Sequence, residues 1–509
     1  AQGLVIVGSD RRGTAFGVFS LSESIGVSPW VWWADVKPAH RDALVIPRTN
    51  YSSKSPSVKY RGIFINDEDW GLQPWAAQTF EPETKDIGPK TYAKVCELLL
   101  RLKANYLWPA MHPSTKAFNF YPQNKVVADQ YAIVMGSSHA EPMLRNNVDE
   151  WNEKTMGHFN YVTNRDQILK YWDERVKENG QYENSYTLGM RGIHDSSMEG
   201  GGTTAEQVAR LEDIFAQQRA MLARHVNPNP ALVPQVFVPY KEVLPLYQAG
   251  LKVPDDVTLV WVDDNHGYIR QLSNATERKR SGGSGVYYHL SYWGAPQDYL
   301  WLGSTSPALT AYEMQKAYAY GADRVWVFNV GDIKPIEKEM EFALRLAYDT
   351  SRYPVDKAMG FLDDWASENF GSQHAKPIAA ILKEYYRLAR QVKPEHSNRV
   401  TFTPQEQTQR LADYRAISRQ AEALYAQLPA NQKDAFFQLV LYPVRGAALM
   451  NQKQTYSVQG NAGMAIEAYD TIQQLTADYN TKMSGGKWMG MMNASPRDQA
   501  VFRKPSALM

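Results

Sequence analysis

Cysteine is almost absent from this 509-residue sequence, which contains only one, Cys96. A single thiol cannot form an intramolecular disulfide, and it excludes a zinc site built from several cysteines. Cys96 lies in the segment KVCELLLRLKAN, in which the apolar residues recur with helical spacing. We therefore predict that Cys96 packs in the core of the protein and does not act as a nucleophile.

Net charge and long apolar runs are also lacking. The 55 Lys and Arg residues balance 54 Asp and Glu residues, so no net positive field predicts a nucleic-acid partner. No run of 18 apolar residues occurs, so the sequence predicts no membrane-spanning helix. Both observations favour a globular protein that has neither nucleic acid nor a membrane as a partner.

Eight short apolar segments alternate with helical segments between Tyr60 and about Thr350. The strand-like segments are RGIFIND, NYLWPAM, AIVMGS, SYTLGMRG, PQVFVPY, VTLVWVDD, GVYYHLSY and DRVWVFNVGD. Such alternation is typical of an α/β protein with a parallel sheet, and eight repeats over residues 56–353 fit a (β/α)₈ TIM barrel. The long loops after the second and third strands are expected to form walls of a substrate pocket.

Three other regions flank the predicted barrel. Residues 1–55 contain a strand-like GLVIVGSD, a helical FGVFSLSESIGV and a linker, and are predicted to be the remnant of an amino-terminal α/β domain. Residues 354–482 contain five amphipathic segments joined by short loops, which predicts an all-α bundle of five helices. Residues 483–509 are rich in Gly, Met and Pro without periodicity, and are predicted to form an extension or a linker.

Polar residues at the carboxyl ends of barrel strands are candidate site residues, because these ends meet at the catalytic face of the fold. They are Asn66 to Asp69 after strand one, Arg191 and Asp195 after strand four, Glu242 after strand five, Asp263 and Asn265 after strand six, His289 and Tyr292 after strand seven, and Asn329 after strand eight. A single Asp at such a position is more simply a helix cap or a turn former. Carboxylates from four different strands favour a shared chemical role.

Converging carboxylates suit glycoside hydrolysis. One acid protonates the leaving oxygen, while the other activates water or attacks the anomeric carbon. Arg191 and His289 add cations that can fix an anionic substituent, and Arg is suited to bidentate recognition of a carboxylate. We therefore predict an acidic sugar as part of the substrate. An ion pair of Arg191 with Asp67 or Asp195 fits the sequence equally well, and one arginine can serve both purposes.

Two other functions stay open from the residues alone. His112, His139, His194 and His289, together with Asp195 and Asp263, could hold a metal in an amidohydrolase-like barrel. That fold usually needs paired H-x-H ligands after strand one, where this sequence has Asn66-Asp67-Glu68-Asp69, so we expect no metal and no cofactor. A protein that binds a sugar without turnover would carry the same pocket.

Several sequence segments at the strand ends resemble those of the family 115 glycoside hydrolases, the xylan α-1,2-glucuronidases. They are RGIFINDEDWGL, SSHAEPML, MRGIHDSSM, VPYKEV, WVDDNHGYIRQL, YYHLSYWGAPQDYLW and VFNVGDIKPIE, and the resemblance extends from residue 1 to about residue 480. It implies metal-free removal of glucuronic acid or its 4-O-methyl ether from xylan with inversion. The implied substrate is glucuronoxylan or an aldouronic acid, and we expect a secreted or periplasmic protein. Family members often form homodimers, so a homodimer is one expectation for this chain.

The resemblance also implies roles for individual residues. The family's active-site positions fall on Asp67, His139, Arg191, Asp195, Glu242, Asp263, Asn265, His289, Tyr292 and Asn329. Glu242 or Asp195 is implied as the general acid, and Asp263 as the base that activates water. Arg191 and His289 are implied to hold the uronate carboxylate, and Asn265, Asn329 and Tyr292 to bind hydroxyls. Asp67 and His139 complete the implied substrate-binding set.

Overall fold

The structure, a computed structural model, describes residues 3–46 and 50–506, in which a parallel eight-stranded sheet is surrounded by helices. The strands are β1 Tyr60–Ile65, β2 Tyr106–Trp108, β3 Val134–Met135, β4 Tyr186–Thr187, β5 Gln235–Phe237, β6 Thr258–Val262, β7 Ser284–His289 and β8 Val325–Gly331. Each of the eight predicted strand segments overlaps one of these strands, and β1 and β7 begin one residue earlier than predicted. The α/β class and the eight strands are therefore confirmed.

The described helices lie between and after the strands. In chain order they are α1 Arg11–Ser24, α2 Leu72–Trp75, α3 Pro89–Arg101, α4 Pro122–Gln130, α5 Asn147–Glu150, α6 Glu153–Met156, α7 Arg165–Asn179, α8 Thr204–His225, α9 Val243–Gln248, α10 Pro307–Ala319, α11 Glu337–Tyr348, α12 Phe361–Phe370, α13 Ser372–Gln391, α14 Pro404–Gln427, α15 Ala430–Phe436, α16 Tyr442–Val458 and α17 Ala462–Lys482. None of the helices in this part of the chain is long and apolar enough to cross a membrane.

The strand order shows how the sheet curls. The order is β3-β2-β1-β8-β7-β6-β5-β4, with every neighbouring pair parallel. The first and last strands are therefore adjacent. Between β3 and β4 the pairing is reduced to a parallel bridge between Met135 and Asn184, where the Ser185 amide donates to the Met135 carbonyl at 2.9 Å. The carboxyl ends of all eight strands consequently lie at one end of a curled sheet.

Large rings fill the inside of this curl. Phe64 of β1, Trp108 of β2 and Tyr287 of β7 are at most 1 % exposed, and Trp108 lies 5.5 Å from Phe64 and 5.3 Å from Tyr287, measured between ring centroids. Strands β1 and β2 also approach each other closely beside these rings. A Cβ on Gly62 of β1 would lie 1.7 Å from the Tyr106 carbonyl oxygen of β2, so only glycine fits there. The interior is thus a packed core that supports the strand ends above it.

Cys96 lies on α3 and is fully buried. Burial raises the pKa of its thiol to about 12. The thiol is therefore protonated at neutral pH, and the prediction of a core cysteine is confirmed.

The helices after residue 354 correspond to the five predicted amphipathic segments. The fourth segment differs from the prediction, because a π-helical turn over Phe437–Leu441 separates α15 from α16. Pro443 in the first turn of α16 has no backbone N–H to donate, and the Lys338 ammonium donates instead to the Leu439 carbonyl at 3.1 Å. The boundaries of a separate bundle domain stay a prediction.

The amino-terminal region only partly matches its prediction. The strand predicted within residues 3–10 is wrong, because the structure gives these residues no strand partner and leaves Val5 80 % and Val7 85 % exposed. The predicted helix is present as α1, which begins earlier because Asp10 accepts from the Gly13 amide at 2.6 Å. The predicted linker includes residues 47–49, which lie outside the described residues.

The segment 483–506, called the C-terminal segment below, packs against the rest of the protein. Trp488, Met491, Val501 and Phe502 are at most 2 % exposed. Trp488 belongs to an aromatic cluster with Trp33 and Trp75, its ring centroid lying 6.1 Å and 5.5 Å from theirs. Both ends of the described chain therefore share one core with the sheet.

A buried lysine connects these parts. The Lys334 ammonium, which follows β8, donates to the Trp33 carbonyl at 2.5 Å, to Glu337 at 2.8 Å and to Gln438 at 3.0 Å. The side chains of Lys334 and Glu337 are 0 % exposed. The Gln438 amide in turn donates to Asp35 at 2.9 Å. One cation thus links the amino-terminal region, the sheet and the helices after residue 354.

We predict that Lys334→Met lowers the free energy of unfolding by about 3 to 5 kcal/mol, because it leaves the Glu337 carboxylate buried without its cation. Chemical denaturation measures this loss. The matched control is Lys383→Met, which breaks an ion pair with Asp363 whose side chains are 41 % and 44 % exposed, and which should cost less than about 1 kcal/mol. Equal losses in the two variants would contradict the prediction.

Candidate active site

A cavity of about 390 Å³ opens at the carboxyl ends of the strands. We call it the active-site cavity. It is lined by Asn66, Met111, His112, His139, Ala140, His194, Asp195, Tyr240, Lys241, Tyr287, His289, Tyr292 and Trp293. His112 and His139 lie on the long loops after β2 and β3, so these loops form walls of the cavity as predicted.

Arg191 connects two of the predicted catalytic carboxylates. Its side chain is 3 % exposed. Its Nε and Nη2 donate to the two oxygens of Glu242, each at 2.7 Å, and its Nη1 contacts Asp195 Oδ1. Asp195 is also hydrogen-bonded to His139 Nε2 at 2.8 Å and paired with the Lys241 ammonium. The structure therefore brings Arg191, Asp195, Glu242 and His139 together, and adds Lys241. Of these five residues, His139, Asp195 and Lys241 line the active-site cavity, whereas Arg191 and Glu242 lie next to its lining.

The backbone after β4, β5 and β6 aims these side chains. Asp195 has a φ of 62°, Lys241 of 51° and Asn265 of 64°. Non-glycine residues rarely adopt this left-handed conformation, and it costs free energy that a well-packed surrounding structure must offset. Three successive strands thus end in turns that direct polar side chains toward the strand ends.

Burial and the neighbouring cations determine the charge of His139. Its burial, together with the charges of Arg191, Lys241 and His289, lowers the pKa of His139 well below its ordinary value. Burial and the charge of Arg191 also lower the pKa of Lys241. His139 is therefore neutral near pH 7, and its Nε2 can carry the proton that it donates to Asp195.

Asp263 lies behind the cavity and does not line it. Its side chain is 0 % exposed. One oxygen accepts from the His289 amide at 3.0 Å and is hydrogen-bonded to His289 Nδ1 at 2.6 Å, while the other accepts from the Gly267 amide at 3.0 Å. This geometry does not fit a base that contacts the attacking water. Asp263 instead orients His289, which leaves the Nε2 of that ring for the cavity.

The neighbouring Asp264 also accepts hydrogen bonds from backbone amides. It accepts from the His266 and Tyr268 amides, each at 3.1 Å, and from Arg270 at 2.7 Å. Both aspartates therefore bind the turn that follows β6, and neither lines the active-site cavity.

Two residues that were predicted to bind substrate hydroxyls hold cavity-lining tyrosines instead. Asn329 is fully buried, donates to the Tyr287 hydroxyl at 3.0 Å and accepts from the Gly331 amide at 3.1 Å. Asn265 accepts from the Tyr240 hydroxyl at 2.6 Å. Tyr292 does line the cavity, but its hydroxyl donates to the Ala295 carbonyl at 2.7 Å.

Asp67 lies behind the cavity at the end of β1. It accepts from the Ser291 hydroxyl at 2.8 Å, and it lines a smaller neighbouring cavity together with Asp332. Burial raises the pKa of Asp67 to about 7 and raises that of Asp332 well above its ordinary value. The structure thus separates Asp67 from the lining of the active-site cavity.

His112 reaches the cavity from the loop after β2. Its Nδ1 is hydrogen-bonded to Asp69, and its amide donates to Glu68, each at 2.5 Å. Burial alone would lower its pKa, but the charges of Glu68, Asp69 and Asp67 and the bond to Asp69 raise the pKa to about 9. His112 is therefore a cation at neutral pH.

Eight cavity-lining residues have no site role in the sequence-based prediction of an acidic-sugar hydrolase. They are Met111, His112, Ala140, His194, Tyr240, Lys241, Tyr287 and Trp293. Tyr240 and Lys241 precede Glu242 at a strand end, so the strand-end rule could have included them. His112 and His194 entered only as candidate metal ligands. Within residues 3–46 and 50–506, no group of three or more His, Cys, Asp or Glu side chains is arranged to hold a metal ion.

Comparison with known proteins identifies the family. The model of glycosyl hydrolase family 115 matches residues 53–396. This chain belongs to glycosyl hydrolase family 115. A solved family 115 structure is 43 % identical, with a TM-score of 0.94 over 98 % of this chain and 68 % of the other. That protein is described as a 4-O-methyl-α-glucuronidase, BtGH115A, with specificity for decorated arabinogalactans. The family resemblance of the sequence is thus confirmed.

More distant structures share the fold of this family 115 chain. A family 138 glycoside hydrolase targeting pectin rhamnogalacturonan II is 10 % identical, with a TM-score of 0.55 over 96 % of this chain and 68 % of its own. A family 89 glycoside hydrolase from Clostridium perfringens, in complex with PUGNAc, is 10 % identical, with a TM-score of 0.54 over 94 % of this chain and 62 % of its own. No curated protein sequence matches this one.

We predict that Asp67→Asn changes how the stability of this family 115 chain depends on pH. An unfolded chain ionises Asp67 near 3.8, whereas the folded protein keeps the proton up to about pH 7. Raising the pH from 4 to 7 therefore favours the unfolded wild type. The stability of the Asn variant relative to wild type should rise across this window and stay constant above it. Urea denaturation at several pH values measures this, and a pH-independent difference would contradict it.

Proposed function

We propose that this family 115 glycoside hydrolase is an inverting α-glucuronidase. It releases α-1,2-linked glucuronic acid or its 4-O-methyl ether from xylan or xylo-oligosaccharides, using the strand ends of a (β/α)₈ barrel. The observation that carries the proposal is the pairing of Arg191 with both Glu242 and Asp195 beside the active-site cavity, which Asp195 lines. Because BtGH115A is described as specific for decorated arabinogalactans, an arabinogalactan is the second candidate polymer.

Glu242 is the general acid in this proposal and Asp195 is the base. The Asp195 side chain lines the cavity, and contacts with three donors, from Arg191, His139 and Lys241, fix the orientation of its carboxylate there. The Glu242 side chain has one cationic partner and is the more exposed, 34 % against 21 %. Asp195 thereby takes the role that the sequence suggested for Asp263.

The position of Arg191 supports inversion. Its guanidinium lies between the two carboxylates, so they cannot approach each other directly. Inverting enzymes hold their two carboxyl groups about 6.5 to 9.5 Å apart, which leaves room for the attacking water, whereas retaining enzymes hold them about 5 to 5.5 Å apart. An interposed guanidinium favours the wider spacing.

The uronate carboxylate needs a different partner from the one that the sequence suggested. The donors of Arg191 already face Glu242 and Asp195. Lys241 and His289 line the cavity, and Asp263 fixes the His289 ring through Nδ1. We assign recognition of the uronate to Lys241 and His289 Nε2, with Arg191 ordering the catalytic pair. Since the proposed substrates are polysaccharides outside the cytoplasm, a secreted or periplasmic location is part of the proposal.

The first test is proton NMR of glucuronoxylan and of a uronate-decorated arabinogalactan during incubation with the protein. We expect the β-anomer of the free uronic acid to appear first, since inversion at an α-linkage gives the β-product. Early appearance of the α-anomer would contradict inversion. Release from neither polymer would contradict the proposed function.

The second test replaces the catalytic pair. We predict that Glu242→Gln and Asp195→Asn each lower kcat by about 10²- to 10⁴-fold, the usual contribution of general acid–base catalysis. With α-glucuronosyl fluoride, whose leaving group needs no protonation, Glu242→Gln should regain much of its activity and Asp195→Asn should not. The matched control is Glu199→Gln, on an exposed part of the loop after β4, which should retain wild-type kcat.

Two results would contradict the roles assigned to Glu242 and Asp195. If Asp195→Asn, and not Glu242→Gln, regains activity on the fluoride, the two roles are reversed. If both variants change only the affinity for the uronate and the wild type shows no turnover, the chain is a uronate-binding protein that uses the same cavity.

A further inference from the structure

The loop after β7 carries an aromatic ring to the edge of the active-site cavity. Trp293 lines the cavity and is partly exposed. Its ring centroid lies 5.0 Å from that of His112 and 5.5 Å from that of His194, which directly precedes Asp195. Its Nε1 is buried and has no hydrogen-bond partner among the described residues. Trp293 thus offers a ring face and an unused donor beside a proposed catalytic carboxylate.

A residue from the opposite end of the chain packs on this ring. The guanidinium of Arg497, in the C-terminal segment, lies 4.7 Å from the Trp293 ring centroid. Its Nη1 donates to both oxygens of Asp298, at 2.9 and 2.6 Å. The Asp298 side chain is 7 % exposed and that of Arg497 is 42 % exposed. Arg497 therefore joins the ring to a buried carboxylate on the same loop.

The loop is also fixed from the region after residue 354. His396 Nε2 is hydrogen-bonded to the Asp298 carbonyl at 2.9 Å, and Arg399 donates to the Pro296 carbonyl at 3.3 Å. These contacts hold the loop backbone, whereas Arg497 lies against the Trp293 ring itself. Its ion pair is with Asp298, not with either residue of the proposed catalytic pair.

The position of Trp293 determines which part of the substrate meets this ring. With the uronic acid unit in the active-site cavity, as the proposed function requires, the attached polysaccharide extends past the cavity edge. Trp293 is a partly exposed ring at this edge, and Arg497 beside it is open to solvent. Aromatic faces bind the apolar faces of sugars, and exposed guanidinium donors suit hydroxyl groups.

We propose that Trp293 is the platform for the sugar that leaves with the glycosidic oxygen, and that Arg497 is the positioning residue that holds this platform in place. The C-terminal segment then determines how well a polysaccharide is accepted, while the uronate is bound by the cavity itself. This inference rests on the proposed glucuronidase function.

The test compares a substrate that has a sugar leaving group with one that has none. The substrates are a xylo-oligosaccharide bearing a 4-O-methylglucuronate and α-glucuronosyl fluoride. We expect Arg497→Ala to raise KM for the oligosaccharide about tenfold and to leave its kcat within twofold, with both constants for the fluoride unchanged. Trp293→Ala should show the same selectivity to a larger extent, without disturbing the Arg497–Asp298 pair.

Two further variants separate positioning from stability. Arg497→Lys keeps a positive charge beside Asp298 but loses the planar group over the ring, so an intermediate KM is expected. Arg503→Ala, in the same segment, removes a side chain that is 66 % exposed and lies 3.7 Å from Asp498, and should match wild type. Melting temperatures of all variants show whether a change in KM accompanies loss of the fold.

The outcomes distinguish this inference from the function on which it rests. Unchanged KM in both Arg497→Ala and Trp293→Ala, or an equal rise in KM for the two substrates, overturns the platform while leaving the glucuronidase intact. A wild-type protein that hydrolyses neither substrate overturns the proposed function itself.

Discussion

The site depends on the buried guanidinium of Arg191, which pairs with the carboxylates of both Glu242 and Asp195. Arg191 is almost fully removed from water, which is costly for a charge unless its partners are close and well aligned. Glu242 supplies a bidentate bond at 2.7 Å and Asp195 a contact on the other side. The surrounding charges follow from this arrangement, because the same cation helps to keep His139 neutral. Loss of Arg191 would disturb the position and the charge of both carboxylates at once.

The sequence allowed the sheet to be predicted well, for a physical reason. Parallel strands are buried on both faces, so they appear as short apolar runs between amphipathic helices, and each of the eight runs overlaps a strand. The prediction within residues 3–10 failed because an apolar run forms a strand only where a partner is available. The π-helical turn before α16 could not be predicted either, since it depends on the contact between Lys338 and the Leu439 carbonyl.

The strand-end rule located the site but did not show which side chains face the cavity. Asp263 and Asp195 look equivalent in the sequence, yet the first lies under His289 and the second opens on the cavity. Left-handed backbone at Asp195, Lys241 and Asn265 accompanies this difference. Asp and Asn adopt that conformation more often than most non-glycine residues, but the residue type alone does not show which of them will do so. His112 was overlooked as part of a sugar site because its charge arises from Glu68 and Asp69, which meet it only in the fold.

The Lys334 network has a consequence for how such a chain can change during evolution. Its ammonium donates to acceptors in the amino-terminal region, at the first residue of α11 and in the π-helical turn. A gene fusion or exchange that replaced the helices after residue 354 would remove Gln438 and leave the buried ammonium without one of these three acceptors. The barrel and its helices are therefore expected to be inherited as one block, and new specificities to arise through the loops at the strand ends.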